Sequence, residues 1–136
     1  MSITYTCNKT YGDIYGRTEK VTVDRRLKLM PSAQAGIITE KDGTIKLISY
    51  ATCVAAVDGE GFLTCSGTYS ASTRRHINRF MREFDTPCGY YDAKRCAVEG
   101  IALNIYTGEV LTLDEYAAHL EDLARERAGI HLAKTA

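Results

Sequence analysis

Residues 70–85 read SASTRRHINRFMREFD, and this stretch decides how the rest of the chain must fold. Four apolar residues recur at positions i, i+3, i+4 and i+7, a spacing that places them on one side of an α-helix. They are Ile77, Phe80, Met81 and Phe84. Ser70 or Ser72 is suited to cap the start, and Pro87 restricts the backbone before it and closes the far end. An apolar helix face needs a partner, so the sequence predicts packing against a sheet.

The opposite side of this helix is basic. At about 100° per residue, Arg75, Arg79 and Arg82 point away from the apolar side, with Arg74 and Asn78 on one flank. Planar guanidinium groups suit phosphate and carboxylate, so these side chains are candidates for contact with nucleic acid or an acidic protein. The predicted partner-binding residues are Arg74, Arg75, Asn78, Arg79 and Arg82. Two alternatives stay open: a solvated face on which Arg79 pairs with Glu83, and an acidic helix of the same chain as partner.

Upstream of the helix, the sequence predicts two successive β-hairpins. Their β-rich segments are residues 36–40, 44–50, 53–57 and 62–66. Asp42-Gly43 is a strong signal for a tight turn in the first hairpin, and Asp58-Gly59-Glu60-Gly61 is a longer turn in the second. Together the hairpins make a meander of about four antiparallel strands. Residues 4–6 and 21–23 are also β-prone, with breaks at Gly12 and Gly16 between them.

Downstream, residues 86–100 are predicted to be a loop, because turn residues stand at both ends. A third hairpin follows around Thr107-Gly108. Thr112 and Glu115 then have the spacing of a capping box that starts a second helix, for which Gly129 is the expected stop. Its predicted buried stripe comprises Leu113, Tyr116, Ala117, Leu120, Leu123 and Ala124. The chain is thus predicted to be one α+β domain, residues 1–136: an antiparallel sheet of four to six strands with two α-helices packed on one face.

The charges balance overall but are unevenly distributed. Seventeen basic and seventeen acidic residues give a net charge of zero, so no global field draws the protein to nucleic acid or membrane. Four arginines and no acid lie in residues 70–82, whereas five acids and no base lie in residues 109–122. This segregation predicts self-association as a homo-oligomer, with the basic helix of one copy against the acidic helix of another.

Membrane and secretory signals are missing from the sequence, since no apolar run approaches the ~20 residues of a membrane span. The odd set of five cysteines suits a reducing compartment, which predicts a cytoplasmic protein. Cys88 and Cys96 lack the paired spacing of a zinc site, and Cys53 and Cys65 are expected to be small buried hydrophobes. His76 is expected to be a packed or surface histidine, and no catalytic motif stands out. We therefore predict no metal, no cofactor and no enzyme activity.

Parts of the chain between residues 47 and 85 resemble small uncharacterised proteins encoded by phages and mobile elements of gut bacteria. The matching residues are Ser49, Tyr50, Thr52, Val54, Ala55, Tyr69, Ser70, Ser72, Thr73, Arg75, His76, Ile77 and Phe80. The resemblance implies a phage or mobile-element accessory protein in the cytoplasm of a bacterial host. We expect it to bind a host protein or ribonucleoprotein, as an anti-CRISPR-type defence inhibitor or a host-takeover protein does. The alternatives are a nucleic-acid binder that uses the same arginines on phosphates, and a self-assembling structural protein.

Overall fold

A computed structural model describes residues 2–8, 18–67 and 70–135; the predicted breaks at Gly12 and Gly16 lie outside these residues. It confirms the α+β class with antiparallel sheets. The strands are β1 (Ile3–Asn8), β2 (Thr18–Val23), β3 (Ala35–Thr39), β4 (Ile45–Ser49), β5 (Thr52–Val57), β6 (Phe62–Cys65), β7 (Ile101–Asn104) and β8 (Val110–Thr112). The helices are α1 (Ala71–Met81), α2 (Tyr90–Glu99) and α3 (Leu113–Thr135).

Strands β3 to β8 form one sheet in which every strand pairs with the next in sequence. The three predicted hairpins are therefore confirmed. Their turns use Gly43 and Gly61 at φ of 94° and 101°, in a region that glycine enters without a steric penalty. Strands β1 and β2 pair only with each other and form a separate two-stranded ribbon.

Helix α1 forms where its apolar spacing predicts, and Ser70 is its N-cap, with a side chain that accepts the Thr73 N–H at 3.4 Å. Ile77, Phe80 and Met81 are fully buried. The helix ends at Met81, so its predicted continuation through Phe84 towards Pro87 is wrong. Phe84 lies beyond the helix and packs edge-to-face on Phe80 with ring centroids 5.1 Å apart. The apolar side of α1 is thus the part that joins the core.

Helix α2 occupies most of the stretch predicted to be a loop, and that prediction is wrong. The Asp92 carboxylate accepts the Gly89 N–H at 2.8 Å and so caps the start of the helix. Gly100 ends it in the left-handed conformation, at φ of 65°. Ala93 and Cys96 are buried on one side. Gly89 and Gly100 are thus the boundaries of a helix.

Helix α3 starts as predicted, with reciprocal hydrogen bonds between Thr112 and Glu115 at 3.1 and 3.2 Å. It continues through Gly129 to Thr135, so the predicted stop is wrong: Gly129 lacks the positive φ that ends α2 at Gly100, and a glycine in helical geometry only weakens the helix interior. The predicted burial of its stripe is also wrong, because Leu113 and Leu120 are 48% and 42% exposed. Only part of this helix has sheet to pack on.

The helices lie on two different faces of the large sheet. Neighbouring residues of a strand point to opposite faces, so Phe62 and Leu63 mark the two sides. Leu63 lies in the core cluster that includes Ile77 of α1 and Cys96 of α2. Phe62 contacts the rings of Tyr116 and His119 on α3, at 5.5 and 5.6 Å between centroids. The pair packed on one face is therefore α1 with α2, and α3 lies on the other.

That second face is shared between α3 and the β1–β2 ribbon. Ile48 of β4 packs with Tyr5, Cys7 and Val23 of the ribbon in a second, smaller core. Lys46, two residues earlier on the same strand, pairs with Ala56. The next residue, Val57, points to the opposite face and lies in the main core. The middle of this face therefore lies between ribbon and helix, and it forms the floor of a groove described below.

Candidate binding surfaces

Three basic residues of α1 and the basic residue at its C-cap form an outer face, which we call the arginine surface: Arg74, Arg75, Arg79 and Arg82. Arg74, Arg75 and Arg82 are exposed, and Arg79 is half-buried, as is the neighbouring Asn78. Within the part of the chain that the structure describes, none of the four guanidinium groups forms an ion pair or a side-chain hydrogen bond. The charges of this surface are therefore available to a partner.

The expected Arg79–Glu83 pair is not formed, because α1 ends before Glu83. The Glu83 carboxylate turns inward, 4% exposed, and its Oε1 lies 2.7 Å from Arg25 Nη2. This is an ion-pair contact without the alignment of a hydrogen bond, while Oε2 accepts the Lys28 N–H at 3.1 Å. Glu83 therefore contacts Arg25 and Lys28 and does not neutralise the arginine surface.

A buried polar cluster holds the inner side of α1 on the sheet. Ser49 Oγ, on β4, lies 2.8 Å from His76 Nδ1 and 2.9 Å from Thr73 Oγ1. His76 is 2% exposed, which confirms that it is a packed histidine. Burial lowers the pKa of its imidazole, and the charge of Arg75 lowers it further. A hydroxyl beside an imidazole suits nucleophilic chemistry, but burial closes this pair to substrates, so its role is to satisfy polar groups in the core.

On the other face, a groove of about 580 Å³ opens between α3 and the turns of the first two hairpins. We call it the α3 groove. Its wall on the helix side comprises Tyr116, Leu120, Leu123, Ala124 and Arg127, and the turns contribute Asp42, Asp58, Gly59 and Glu60. Its volume falls in the range of about 300–1,000 Å³ that is usual for binding clefts. Of the two exposed leucines of α3, Leu120 lines this groove and Leu113 does not.

Two hydrogen bonds fix α3 against the turns. Asp58 Oδ1 accepts three backbone N–H groups of its own turn, at 2.9 to 3.0 Å, and Oδ2 accepts the Tyr116 hydroxyl at 2.5 Å. Burial, followed by the hydrogen bond to Asp58, raises the pKa of Tyr116. His119 Nε2 lies 2.8 Å from Glu60 Oε2, and this contact raises the pKa of the imidazole. In the sequence both acids are turn residues, and no local pattern connects them with helix residues 58 and 59 positions away.

The five cysteines differ in exposure. Cys7 and Cys96 are buried and Cys65 and Cys88 are half-buried, whereas Cys53 is exposed, so the expectation of a buried Cys53 is wrong. Cys53 is at the start of β5, where a register shift interrupts the pairing with β4. Among the described residues, no group of three or more His, Cys, Asp or Glu side chains is arranged to hold a metal ion.

Comparison with models of protein families assigns more than half of the chain to a family. A family model described as a family of unknown function (DUF8033) matches residues 18–94, more than half of the chain. The matched part runs from β2 into α2 and contains both the arginine surface and the Ser49–His76 contact, but not α3. No curated protein and no solved structure matches the chain. None of the helices that the structure describes has the length and apolar character required to cross a membrane.

Proposed function

The chain belongs to the family of unknown function DUF8033, and we propose that it is a small non-catalytic protein that binds a host macromolecule through its arginine surface. One observation carries this proposal. Four guanidinium groups share the outer face of a helix, and no described residue neutralises any of them. Arginine is the cation best suited to directional contacts with carboxylate and phosphate.

The rigidity of α1 supports a binding role. The side chains beneath the arginine surface are buried and hydrogen-bonded, so the helix backbone is fixed before any partner arrives. A fixed backbone lowers the ordering cost of association, and arginine is among the residues that dominate binding energy at interfaces. The arginine surface therefore has the properties of a preorganised binding site.

A protein or ribonucleoprotein partner fits the charge of the whole chain better than free nucleic acid does. A dedicated nucleic-acid binder usually carries a basic excess, whereas this chain has a net charge of zero. The resemblance to phage and mobile-element proteins supports a bacterial host target, with the protein acting as a defence inhibitor of the anti-CRISPR type or as a host-takeover protein.

Nucleic acid is the second candidate, favoured by the phosphate-binding geometry of arginine. Strand β6 precedes α1 where a helix-turn-helix has a supporting helix, so groove reading with Asn78 is not expected. Binding would instead be to phosphates and independent of sequence. Four contacts would give a slope of log affinity against log salt of about −3 to −4.

Site-specific photo-cross-linking tests the proposal. A photoreactive residue placed at position 74, within the arginine surface, is expected to capture a bacterial protein, and capture is expected to be lost when Arg75, Arg79 and Arg82 are changed to Ala. The matched control is the same photoreactive residue at Tyr91, which is 80% exposed on α2. Equal capture from both positions, or none from position 74, contradicts the proposal. An adduct made only of nuclease-sensitive material supports the second candidate instead.

A further inference from the structure

We propose that the arginine surface of one copy docks into the α3 groove of a second copy, so that the protein assembles head to tail. The inference goes beyond the proposed function, because it assigns a partner to the opposite face of the molecule. It rests on two features that the fold leaves unexplained: cations without a described counter-charge on α1, and a half-open apolar and acidic groove beside α3.

The two surfaces are complementary in charge. The α3 groove is lined by three carboxylates, Asp42, Asp58 and Glu60, against one guanidinium, Arg127. The arginine surface supplies four cations and contains no acid. Complementary surfaces of this kind steer association and fix the orientation of the partners.

The apolar part of the groove also fits arginine. Leu120 and Leu123 line it together with Phe62 of the sheet. Leu120 is 42% exposed, so apolar area remains to be covered there. Arginine buries its methylene stem on apolar surface while its charged end reaches an acid. Arginine side chains that enter the groove would therefore use both the leucines and the carboxylates.

The contact cannot form within one copy. Helix α1 packs on the face of the sheet marked by Leu63, and α3 packs on the face marked by Phe62. The arginine surface therefore reaches only the α3 groove of another molecule. Because the two patches differ, the interface is heterologous, and it generates a ring if the rotation closes or an open chain if it does not. Because the net charge is zero, copies of the chain do not repel one another strongly as they associate.

Two charge variants test the inference by complementation. The first, Arg75→Glu with Arg82→Glu, changes two exposed residues of the arginine surface and leaves the groove intact. The second, Glu60→Lys with Leu120→Lys, changes two exposed residues of the groove and leaves the arginines intact. A control that matches the first variant in charge, Lys20→Glu with Lys94→Glu, changes exposed residues outside both surfaces. Circular dichroism verifies that all three fold.

Analytical ultracentrifugation at low salt gives the readout. We expect the wild type and the control to form species larger than the 15.0 kDa chain, and each charge variant alone to be monomeric. A mixture of the two variants is expected to assemble, because the intact arginine surface of the second variant meets the intact groove of the first. Salt is expected to weaken this assembly, since the Debye length falls from about 10 Å at 0.1 M to about 3 Å at 1 M.

Three outcomes would overturn the inference. They are a monomeric wild type at every concentration and ionic strength, continued assembly of either variant alone, and failure of the mixed variants to pair. None depends on whether a host partner is captured, so this test and that of the proposed function fail independently.

Discussion

Ser49 Oγ lies 2.8 Å from His76 Nδ1 in the core, directly beneath the helix that carries the arginine surface. The same hydroxyl contacts Thr73 Oγ1, one turn earlier on the helix. Both side chains of α1 are thereby held by one residue of β4. Because these polar groups are buried, hydrogen bonds between them stabilise the fold more than the same bonds would on the surface. They therefore hold α1 in position on the sheet.

Removing the hydroxyl tests this role. Ser49→Ala leaves His76 Nδ1 buried without its partner, so the free energy of unfolding is expected to fall by about 1–3 kcal/mol. Urea denaturation measures the change. Arg75→Ala, at an exposed position of the same helix, is the control and is expected to stay within about 0.5 kcal/mol of the wild type. Equal stability of Ser49→Ala and wild type would show that the contact is dispensable.

Acidification is expected to weaken the fold through His76. Burial lowers the pKa of His76 below its ordinary value of 6.5 in the folded state, so the unfolded chain binds more protons as the pH falls through 6.5. The stability that the uncharged His76 contributes is therefore fully present above pH 6.5. It is lost progressively as the pH falls from 6.5 to the pKa of His76 in the folded state.

His119 contributes a pH dependence of the opposite sign. Glu60 raises its pKa above 6.5, so its contribution is present below that pH and is lost as the pH rises through the folded pKa. The pH dependence due to His76 is therefore best measured in a His119→Gln variant, which removes the opposing effect. Urea denaturation across pH gives the stability, and NMR titration gives the pKa of the His76 imidazole. An imidazole pKa at or above 6.5 for His76 would contradict the assignment.

The attachment of the β1–β2 ribbon depends on Gly36. A Cβ at this position would lie 2.3 Å from Val23 Cγ2 and 2.9 Å from the Arg25 carbonyl oxygen. Gly36→Ala is therefore expected to destabilise the protein by about 1–3 kcal/mol through overpacking. In a Val23→Ala background, part of the clash is removed and the same change should cost less. Additive effects in this double-mutant cycle would mean that ribbon and sheet do not meet at these two residues.

Sequence patterns were sufficient where the decisive contacts are local. The Asp-Gly turns specify the hairpins, the apolar spacing and Ser70 specify α1, and Thr112 with Glu115 specifies the start of α3. Each signal lies within a few residues of the structure that it determines, and backbone geometry then admits few alternatives.

The rest depends on contacts between distant residues. Ser49 and His76 are 27 residues apart, and no local pattern connects them. Helix α2 was missed because Gly89 and Gly100 suit turns as well as helix ends, while Ala93 and Cys96 supply only a short apolar side. The exposure of the α3 stripe depends on which part of this long helix lies against the sheet, where it contacts β7, β8 and Phe62. A periodic pattern cannot report that.

The most direct test of the central claim is the affinity of the cross-linked partner, once purified, for two variants of equal charge. One is Arg75→Ala, Arg79→Ala and Arg82→Ala together; the other is Lys20→Ala, Lys41→Ala and Lys94→Ala. Each loses three of the seventeen cations. Loss of one interface hot spot costs about 2 kcal/mol or more, about thirtyfold in dissociation constant. We predict at least that loss for the arginine variant and wild-type affinity for the lysine variant. Equal affinities of the two variants would contradict a binding role for the arginine surface.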